Sequence, residues 1–357
     1  MNIIRNKKPI CFFGNQILLN FVNKLYFYDT FSLKLNRQLV LPYPWYKTFL
    51  GRIRVFRRML RLGVMNGLYF NEKLFVTFDN KIYCIDPLTL NINAEYFFKK
   101  ERKTLNLAVI NNIEHFDNGL YFGEYFGNST KEEVHIIKRD ISGGYSIAYK
   151  FPKGTINHVH NIIPDPYNDC VWVLTGDFGN AASIWQAKNN FETMNPILSG
   201  SQQYRACVAY PSKNGLLYAT DTQFENNHIR LLCFERNKWK TKKIFPLNGS
   251  VIYGCSFQDK YVFSTTTEPA DSHKNMICKL FDTKRGPGIL KNESHIVMGS
   301  LNKGFEIITK KKKDLLPYRL FQFGTIFFPQ GNNPTDNLFS YSIGNIKNDM
   351  DTEIRPF

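Results

Sequence analysis

Long helical windows are almost absent from this sequence, which argues against a helical fold. The N-terminal segment MNIIRNKKPICFFGNQILLN has no uninterrupted apolar core and no small-residue cleavage site. No window approaches the ~18 apolar residues of a membrane span. We therefore expect no signal peptide and no transmembrane helix, and a cytoplasmic location that extends to the inner membrane surface if the chain binds lipid.

Paired cysteines are also missing. The seven cysteines are scattered through apolar runs and none forms a CxxC pair, so neither a disulfide framework nor a cysteine-based zinc module is indicated. No HExxH helix, P-loop or dinucleotide fingerprint is present. We assign no cofactor and no metal, and we expect the cysteines to be reduced and buried.

Acidic residues are scarce. Thirty Asp and Glu stand against 46 Lys and Arg, a formal net charge of +16. A field of that sign favours an anionic partner: an acidic glycan, a nucleic acid or an anionic lipid. The basic residues do not alternate with aromatic ones as in nucleic-acid-binding proteins, so we expect an acidic polysaccharide or oligosaccharide and no nucleic acid.

What the sequence does contain is a repeated strand pattern. Aromatic residues make up 15% of the chain, and short runs of Val, Ile, Tyr, Phe and Thr alternate with Asn, Asp and Gly. The string NGLYF occurs at 66–70 and again at 118–122. A recurring motif consists of an apolar strand, a turn, a strongly apolar second strand and a polar or acidic residue that ends it. The residues at these strand ends are Asp79, Glu124, Asp177, Asp221 and Glu268.

This repeat predicts the fold. A four-stranded unit that recurs every roughly 40–50 residues is the sequence signature of a β-propeller blade. We therefore predict an all-β propeller of about seven four-stranded blades, with six as the alternative. We expect a single domain over residues 1–357, in which the N- and C-terminal segments close the ring together.

The propeller places two sets of residues on one face. The first strand of a blade starts where the second strand ends, so residues at these positions should meet at one mouth of the channel. The openings of the first strands carry Asn157-His158, Tyr204-Arg205, Tyr253 and Tyr318-Arg319. The ends of the second strands carry Glu124, Asp177, Asp221 and Glu268.

Each of these candidates has more than one interpretation. His158 and His160 are two apart on a strand, so both side chains point to one side, where they could act in acid–base catalysis, bind a metal or make structural hydrogen bonds. Arg205 and Arg319 could bind a substrate carboxylate or pair with an acid of the protein. The four acids could bind substrate or simply be turn residues.

The stretch WYKTFLGRIRVFRRMLRLG, near residues 45–62, is different in kind. Apolar residues recur at helical spacing with arginines between them, which predicts a short basic amphipathic helix. Such a helix could lie on an anionic membrane or cover the propeller. The membrane contact would involve Arg52, Arg54, Arg57, Arg58 and Arg61.

Part of the chain resembles a known family. The ordered set HVHNI, VWVLTGD, GSQQYRA, YATDT and TTTEP, between His158 and Pro269, resembles sialidase-like (BNR-type) propeller proteins associated with bacterial envelope and capsule polysaccharides. The Asp-box consensus of sialidases, SxDxGxTW, is not found. The face is also similar in kind to that of propeller polysaccharide lyases, in which histidine and tyrosine serve as base and acid while arginine neutralises a uronate.

These observations favour β-elimination on an anionic, uronic-acid-type polysaccharide. In this hypothesis Arg205 and Arg319 neutralise the uronate, His158 or His160 removes the proton, and Tyr204 or Tyr253 protonates the leaving oxygen. A glycoside hydrolase using two of the four acids is the alternative enzyme. A third hypothesis is a non-catalytic propeller that binds glycan or scaffolds envelope-polysaccharide assembly through the arginine-rich helix.

Overall fold

The computed structural model describes residues 2–99, 101–271, 273 and 275–357. Over these residues the fold is an all-β propeller with seven four-stranded antiparallel blades, so the predicted fold class is confirmed and the blade count is seven. None of the helices in the described part of the chain is long and apolar enough to cross a membrane.

The strands follow one another sheet by sheet. The first half of the chain contains β1 (Asn2–Ile4), then β2 (Lys8–Phe13), β3 (Gln16–Phe21), β4 (Lys24–Asp29) and β5 (Leu35–Val40), then β6 (Gly67–Phe70), β7 (Lys73–Phe78), β8 (Lys81–Ile85) and β9 (Ile92–Phe97), then β10 (Ala108–Ile110), β11 (Gly119–Gly123), β12 (Val134–Asp140) and β13 (Tyr145–Phe151). Each run of four consecutive strands from β2 onward is one sheet.

The same order continues to the C-terminus. The remaining strands are β14 (His158–Asp165), β15 (Cys170–Gly176), β16 (Ser183–Lys188) and β17 (Thr193–Ser199), then β18 (Ala206–Ser212), β19 (Gly215–Thr220), β20 (Asn227–Glu235) and β21 (Lys238–Leu247), then β22 (Ser250–Phe257), β23 (Lys260–Thr266), β24 (Glu293–Ser300) and β25 (Gly304–Lys312), then β26 (Thr325–Phe327), β27 (Asn337–Ile343) and β28 (Thr352–Pro356). In the last sheet β1 pairs with β28, so strands from both ends of the chain share it.

Burial differs between the strands of a sheet. The second strands are almost wholly buried: β15, CVWVLTG, is buried at every position, and so is β11, GLYFG. The fourth strands are polar and partly exposed, as in β21, KWKTKKIFPL. A strand covered on both faces reads as a continuous apolar run, which is why the second strands dominate the sequence repeat.

The contacts divide the chain into two compact units. Unit 1 comprises Met1–Asp79, Tyr83–Asn93 and Asn248–Phe357, and unit 2 comprises Asn80–Ile82 and Ala94–Leu247. The core of unit 2 includes the fully buried Trp172, whose indole N–H donates to the buried Asp165 carboxylate at 2.8 Å. A second cluster packs Phe151, Trp185 and Phe191 together.

The basic segment forms two helices rather than one. These are α1 (Trp45–Arg52) and α2 (Arg54–Met59), separated by Ile53 in extended conformation. Two short helices follow later in the chain, α3 (Met276–Leu280) and α4 (Tyr318–Phe321). Tyr318 and Arg319 thus lie in a helical turn and do not open a first strand, which corrects the predicted position.

The arginines of the basic segment point in different directions. Arg57 and Arg58 are buried, and Arg58 pairs with Asp314 and Asp349. Arg57 instead donates to the Gly51 carbonyl and to Oδ1 of Asn6, so neither of these two arginines is available at the surface in this structure. The other three, Arg52, Arg54 and Arg61, are exposed, and membrane contact through them stays a prediction.

Candidate functional site

The two histidines of the HVH motif meet at the start of β14. His158 and His160 are buried, and their Nε2 atoms lie 3.1 Å apart. In the pairing with β15, Val159 faces Thr175 and Asn161 faces Leu174, so His160 is the extra residue of a β-bulge. A bulge turns a side chain away from strict alternation, and here it helps to bring the two rings together.

The bulge recurs in other blades. Register shifts of the same kind occur near the start of β2, β18 and β22. The position two residues before the bulge is the first residue of β2, β14 and β22, occupied by Lys8, His158 and Ser250. In the remaining blade the same position falls directly before β18 and is occupied by Arg205.

The hydrogen-bond partners of the rings determine their tautomers. Nδ1 of His158 lies 2.9 Å from the Phe126 carbonyl oxygen, and Nδ1 of His160 lies 2.9 Å from that of Ala206. A carbonyl oxygen only accepts, so each Nδ1 must carry the hydrogen. In the neutral rings both Nε2 atoms therefore present lone pairs to each other.

Asp177 adds a third lone-pair atom to this pair. Its Oδ1 lies 3.4 Å from Nε2 of His158 and 3.3 Å from Nε2 of His160, and it has no partner that meets hydrogen-bond geometry within the described residues. Burial by itself would raise the pKa of this carboxyl, but the two histidines and the Arg205 charge hold it well below its usual range. With both rings neutral, an ionised oxygen and two ring lone pairs at this spacing would repel one another; either a proton on one Nε2, which would then donate to Asp177, or a metal cation among the three atoms removes that repulsion.

A glycine makes this arrangement sterically possible. Gly176 is the last residue of β15, opposite His158 in the sheet and directly before Asp177. A Cβ at Gly176 would lie 2.4 Å from Nε2 of His160, much closer than atoms approach. The small residues of the phrase LTGD therefore let the strand backbone pass against the ring.

Arg205 connects Asp177 with a second acid. Its Nη2 lies 3.3 Å from Oδ1 of Asp177, and its Nε lies 3.4 Å from Oδ2 of the buried Asp221. Nη1 donates to Oε1 of Gln223 at 3.1 Å. The ion pair with protein acids, which was one of the two interpretations of this arginine, is the one that the structure contains.

Cys207 and Asp221 form a second set of ligand-type atoms with His160. The Cys207 thiol donates to Oδ2 of Asp221 at 3.3 Å. Burial, and then the Asp221 charge, raise the pKa of the Cys207 thiol well above its usual value. Because thiolate rather than thiol binds metal, this set is less suited to an ion than His158, His160 and Asp177.

Aromatic residues surround the cluster. The Tyr125 ring lies 4.2 Å from that of His158, and burial raises the pKa of its hydroxyl. Phe178 and Phe224 are exposed, with ring centroids 6.0 Å apart, and the Arg205 guanidinium lies 5.9 Å from the Phe178 ring. The sequence did not mark these aromatic residues, because only the tertiary contacts separate them from the many other aromatics of the chain.

Two other predicted residues of unit 2 have different surroundings. Glu124 follows β11 as expected, but its carboxylate contacts Arg102 and His135. Tyr204 ends a short 3-10 turn over Gln202–Tyr204, directly before Arg205 and β18. Five of the predicted residues therefore form one cluster: His158, His160, Asp177, Arg205 and Asp221.

The remaining predicted residues belong to unit 1. Tyr253 lies inside β22 rather than at its opening, with its ring 4.1 Å from that of Phe327. Glu268 accepts a hydrogen bond from the Ser250 hydroxyl at 2.6 Å. Arg319 pairs with Asp271.

Comparison with known proteins relates the chain to others by fold. No protein-family model and no curated protein matches it. It is similar to an oligogalacturonate lyase from Vibrio parahaemolyticus, with 12% identity over 92% of this chain and 87% of that one, at a TM-score of 0.52. It is also similar to the β-propeller domain of Myceliophteria thermophila Cps50 (Swd1), with 8% identity over 100% and 99% of the two chains, at a TM-score of 0.54.

The same fold occurs in quite different proteins. A chain of the Mitotic Checkpoint Complex matches with 10% identity over 96% of this chain and 84% of its own length, at a TM-score of 0.54. The sialidase-like resemblance has no family match behind it. At such identities the likenesses show a β-propeller fold and leave the activity to be argued from the site.

Proposed function

We propose that this chain is an enzyme that cleaves an anionic, uronic-acid-type polysaccharide by β-elimination, at a centre where His158, His160 and Asp177 hold a divalent cation. The observation that carries the proposal is the triangle formed by the two Nε2 atoms and Oδ1 of Asp177. Its sides measure 3.1, 3.3 and 3.4 Å.

The size of the triangle matches a metal site. Ligand atoms about 2.0–2.1 Å from a tetrahedral ion are about 3.3 Å apart. The backbone carbonyls that hold the Nδ1 hydrogens are the outer partners that orient ligating histidines. Three protein ligands would leave a fourth position open, and the Asp177 side chain is 25% exposed although its Oδ1 is buried.

A cation at this position supplies what elimination requires. It would neutralise the uronate carboxylate and so make the proton on the adjacent carbon acidic. Both histidine Nε2 atoms are committed to the cation, so Tyr204, directly before Arg205, would in its ionised form accept that proton. The electrons of the broken C–H bond would form a carbon–carbon double bond as the bond to the leaving oxygen breaks, and Tyr204 would return its proton to that oxygen.

The surroundings support an anionic sugar as the ligand. The net charge of +16 attracts a polyanion, and the exposed Phe178 and Phe224 rings offer faces on which sugar rings can stack. One protein of this fold is an oligogalacturonate lyase, so the fold is compatible with an enzyme of this class. In this proposal Arg205 positions Asp177 and Asp221, and the cation, rather than the arginine, would neutralise the substrate carboxylate.

Elimination leaves a product that can be measured directly. The purified protein, loaded with Zn²⁺ or Mn²⁺, is incubated with a panel of acidic polysaccharides while the ultraviolet absorbance of the unsaturated uronate is followed. We expect absorbance to rise, to stop rising when a chelator is added, and to be lost in Asp177→Asn. The variant His115→Ala, which changes an exposed histidine, should retain activity.

The alternatives predict different results. New reducing ends without a rise in absorbance would indicate a glycoside hydrolase. Binding of a glycan with neither signal would make the chain a recognition or scaffold propeller. Activity that survives complete removal of metal would contradict the role of the triangle.

A further inference from the structure

A cavity in unit 1 is lined by positive charge. Its volume is about 150 Å³, and its cationic wall consists of Lys8, Arg57 and Arg61. Within the described residues, none of those that line it is acidic. Arg57 is buried, Lys8 is partly buried and Arg61 is exposed. Enclosed cations with no carboxylate in the same cavity are unusual, because buried charges are normally paired.

Arg57 is the most enclosed of the three. Its residue is 4% exposed, and its Nη1 and Nη2 donate to the Gly51 carbonyl and to Oδ1 of Asn6. Its Nε has no hydrogen-bond partner within the described part of the chain. A buried guanidinium with an unused donor is a costly arrangement unless an acceptor occupies the space beside it.

The acids near Arg57 are engaged elsewhere. Asp349 pairs with Arg54 and with Arg58, and its other oxygen accepts from the Gly344 N–H. Asp351 accepts from the backbone N–H of Asn6. Neither carboxylate is within ion-pair distance of Arg57, so its guanidinium has no direct carboxylate partner among the described residues.

Lys8 is in a similar position. Its ammonium donates to the carbonyl oxygens of Val64 and Met65 at 3.2 and 2.6 Å, and it lies 4.5 Å over the Phe327 ring. None of the ion pairs among the described residues includes it. Burial lowers the pKa of Lys8 to about 8, as expected for an amine that lacks a carboxylate partner.

We infer that this cavity binds the phosphate group of a small phosphorylated compound. Lys8, Arg57 and Arg61 would surround the phosphate oxygens, and the free Nε of Arg57 would donate to one of them. A dianion suits three cations better than a single carboxylate does. The inference does not depend on the proposed β-elimination.

Aromatic side chains in the lining of the cavity suit an organic group attached to the phosphate. Tyr253, Phe327 and Tyr341 line it, and the Tyr253 and Phe327 rings lie 4.1 Å apart. Tyr253, which the sequence suggested as a proton donor, would thus form part of a binding wall. A ring on the ligand could stack against these faces.

Calorimetric titration of the full chain tests the inference. Inorganic phosphate and phenyl phosphate are titrated at constant ionic strength in chloride, and binding is compared between the wild type, Lys8→Met and Arg61→Met. We expect saturable phosphate binding that weakens by roughly tenfold or more in each variant, since each loses a charge-assisted contact. Arg5→Met, which removes an exposed charge outside the cavity, should bind as the wild type does.

The two probes distinguish the sources of the phosphate. Tighter binding of phenyl phosphate would indicate a phosphorylated organic ligand, whereas equal binding would indicate free phosphate. Arg57→Lys keeps the charge and removes the Nε donor, so it should weaken binding without unfolding the helix. Phosphate affinity that is no greater than chloride affinity, or that is the same in Lys8→Met and the wild type, would overturn the inference.

Discussion

Gly176 and His160 are in such close contact that no side chain fits between them: a Cβ on the glycine would lie 2.2 Å from Cε1 of the imidazole. The strand that ends in Gly176 also delivers Asp177 to the same ring. The position of His160 therefore depends on the absence of a side chain at Gly176.

We predict that Gly176→Ala displaces His160 and weakens metal binding. The added methyl overlaps the ring, so Zn²⁺ affinity should fall by about 10–100-fold and overpacking should reduce the free energy of unfolding by about 1–3 kcal/mol. Calorimetric titration and urea unfolding measure the two effects. Gly127→Ala is the matched control, because a Cβ at Gly127 has nothing within 4 Å.

The three ligands should each be necessary for metal binding. The wild type should bind one Zn²⁺ or Mn²⁺ ion, and His158→Ala, His160→Ala and Asp177→Asn should each abolish high-affinity binding because two remaining ligands hold an ion poorly. Metal content after dialysis and calorimetric titration provide the measurement. If all three variants bound the ion as tightly as the wild type, the triangle would not be the site.

Arg205 should contribute to stability through Asp221. The arginine lies 3.4 Å from this buried carboxylate, and removal of one partner of a buried pair typically costs about 3–5 kcal/mol. Arg205→Met should therefore lower the free energy of unfolding by about that amount. In urea unfolding, the double variant with Asp221→Asn should lose less than the sum of the two single variants, and simple additivity would show that the pair is not coupled.

Lys8 should make stability depend on pH. Burial lowers its pKa from 10.5 to about 8, so between these values the unfolded chain binds more protons than the folded one. The free energy of unfolding should therefore rise as pH increases from about 8 to 10.5. Below about pH 8 the folded protein carries the full penalty of burying a charged Lys8. The other charged or titratable groups that line the cavity are Arg57, Arg61, Tyr253 and Tyr341.

Comparison with Lys8→Met isolates this contribution. The variant should be more stable than the wild type below pH 8 in phosphate-free buffer, and the difference should shrink as pH rises toward 10.5. Thermal unfolding across this pH range measures it. With saturating phosphate below pH 8, the wild type should become more stable than Lys8→Met, because only the wild type has the Lys8 ammonium to pair with the bound phosphate.

Local patterns were sufficient to predict the blades. The run CVWVLTGD is apolar until Asp177, and the same phrase recurs with Glu124 and Asp221 at its end. Strand burial and turn chemistry are properties of a few consecutive residues, so the repeat, the fold class and the ends of the second strands could be read from the sequence. The same phrase placed Asp177 at a strand end and His158 at a strand start.

The exact partners within the site could not be read in this way. The sequence offered four acids for Arg205, and only the packed blades select Asp177 and Asp221. The bulge at His160 and the contact with Gly176 depend on how β14 pairs with β15. Register is a property of two strands together, so one strand read alone does not reveal it.

The basic segment shows the same division. Its sequence predicted a helix rich in arginine near residues 45–62, and Trp45–Arg52 and Arg54–Met59 are helical, because helical spacing is local. The tertiary structure decided that the helix breaks at Ile53 and that Arg58 turns inward to Asp314 and Asp349. A buried charge lies where a partner can offset its desolvation, and that partner is more than two hundred residues away along the chain.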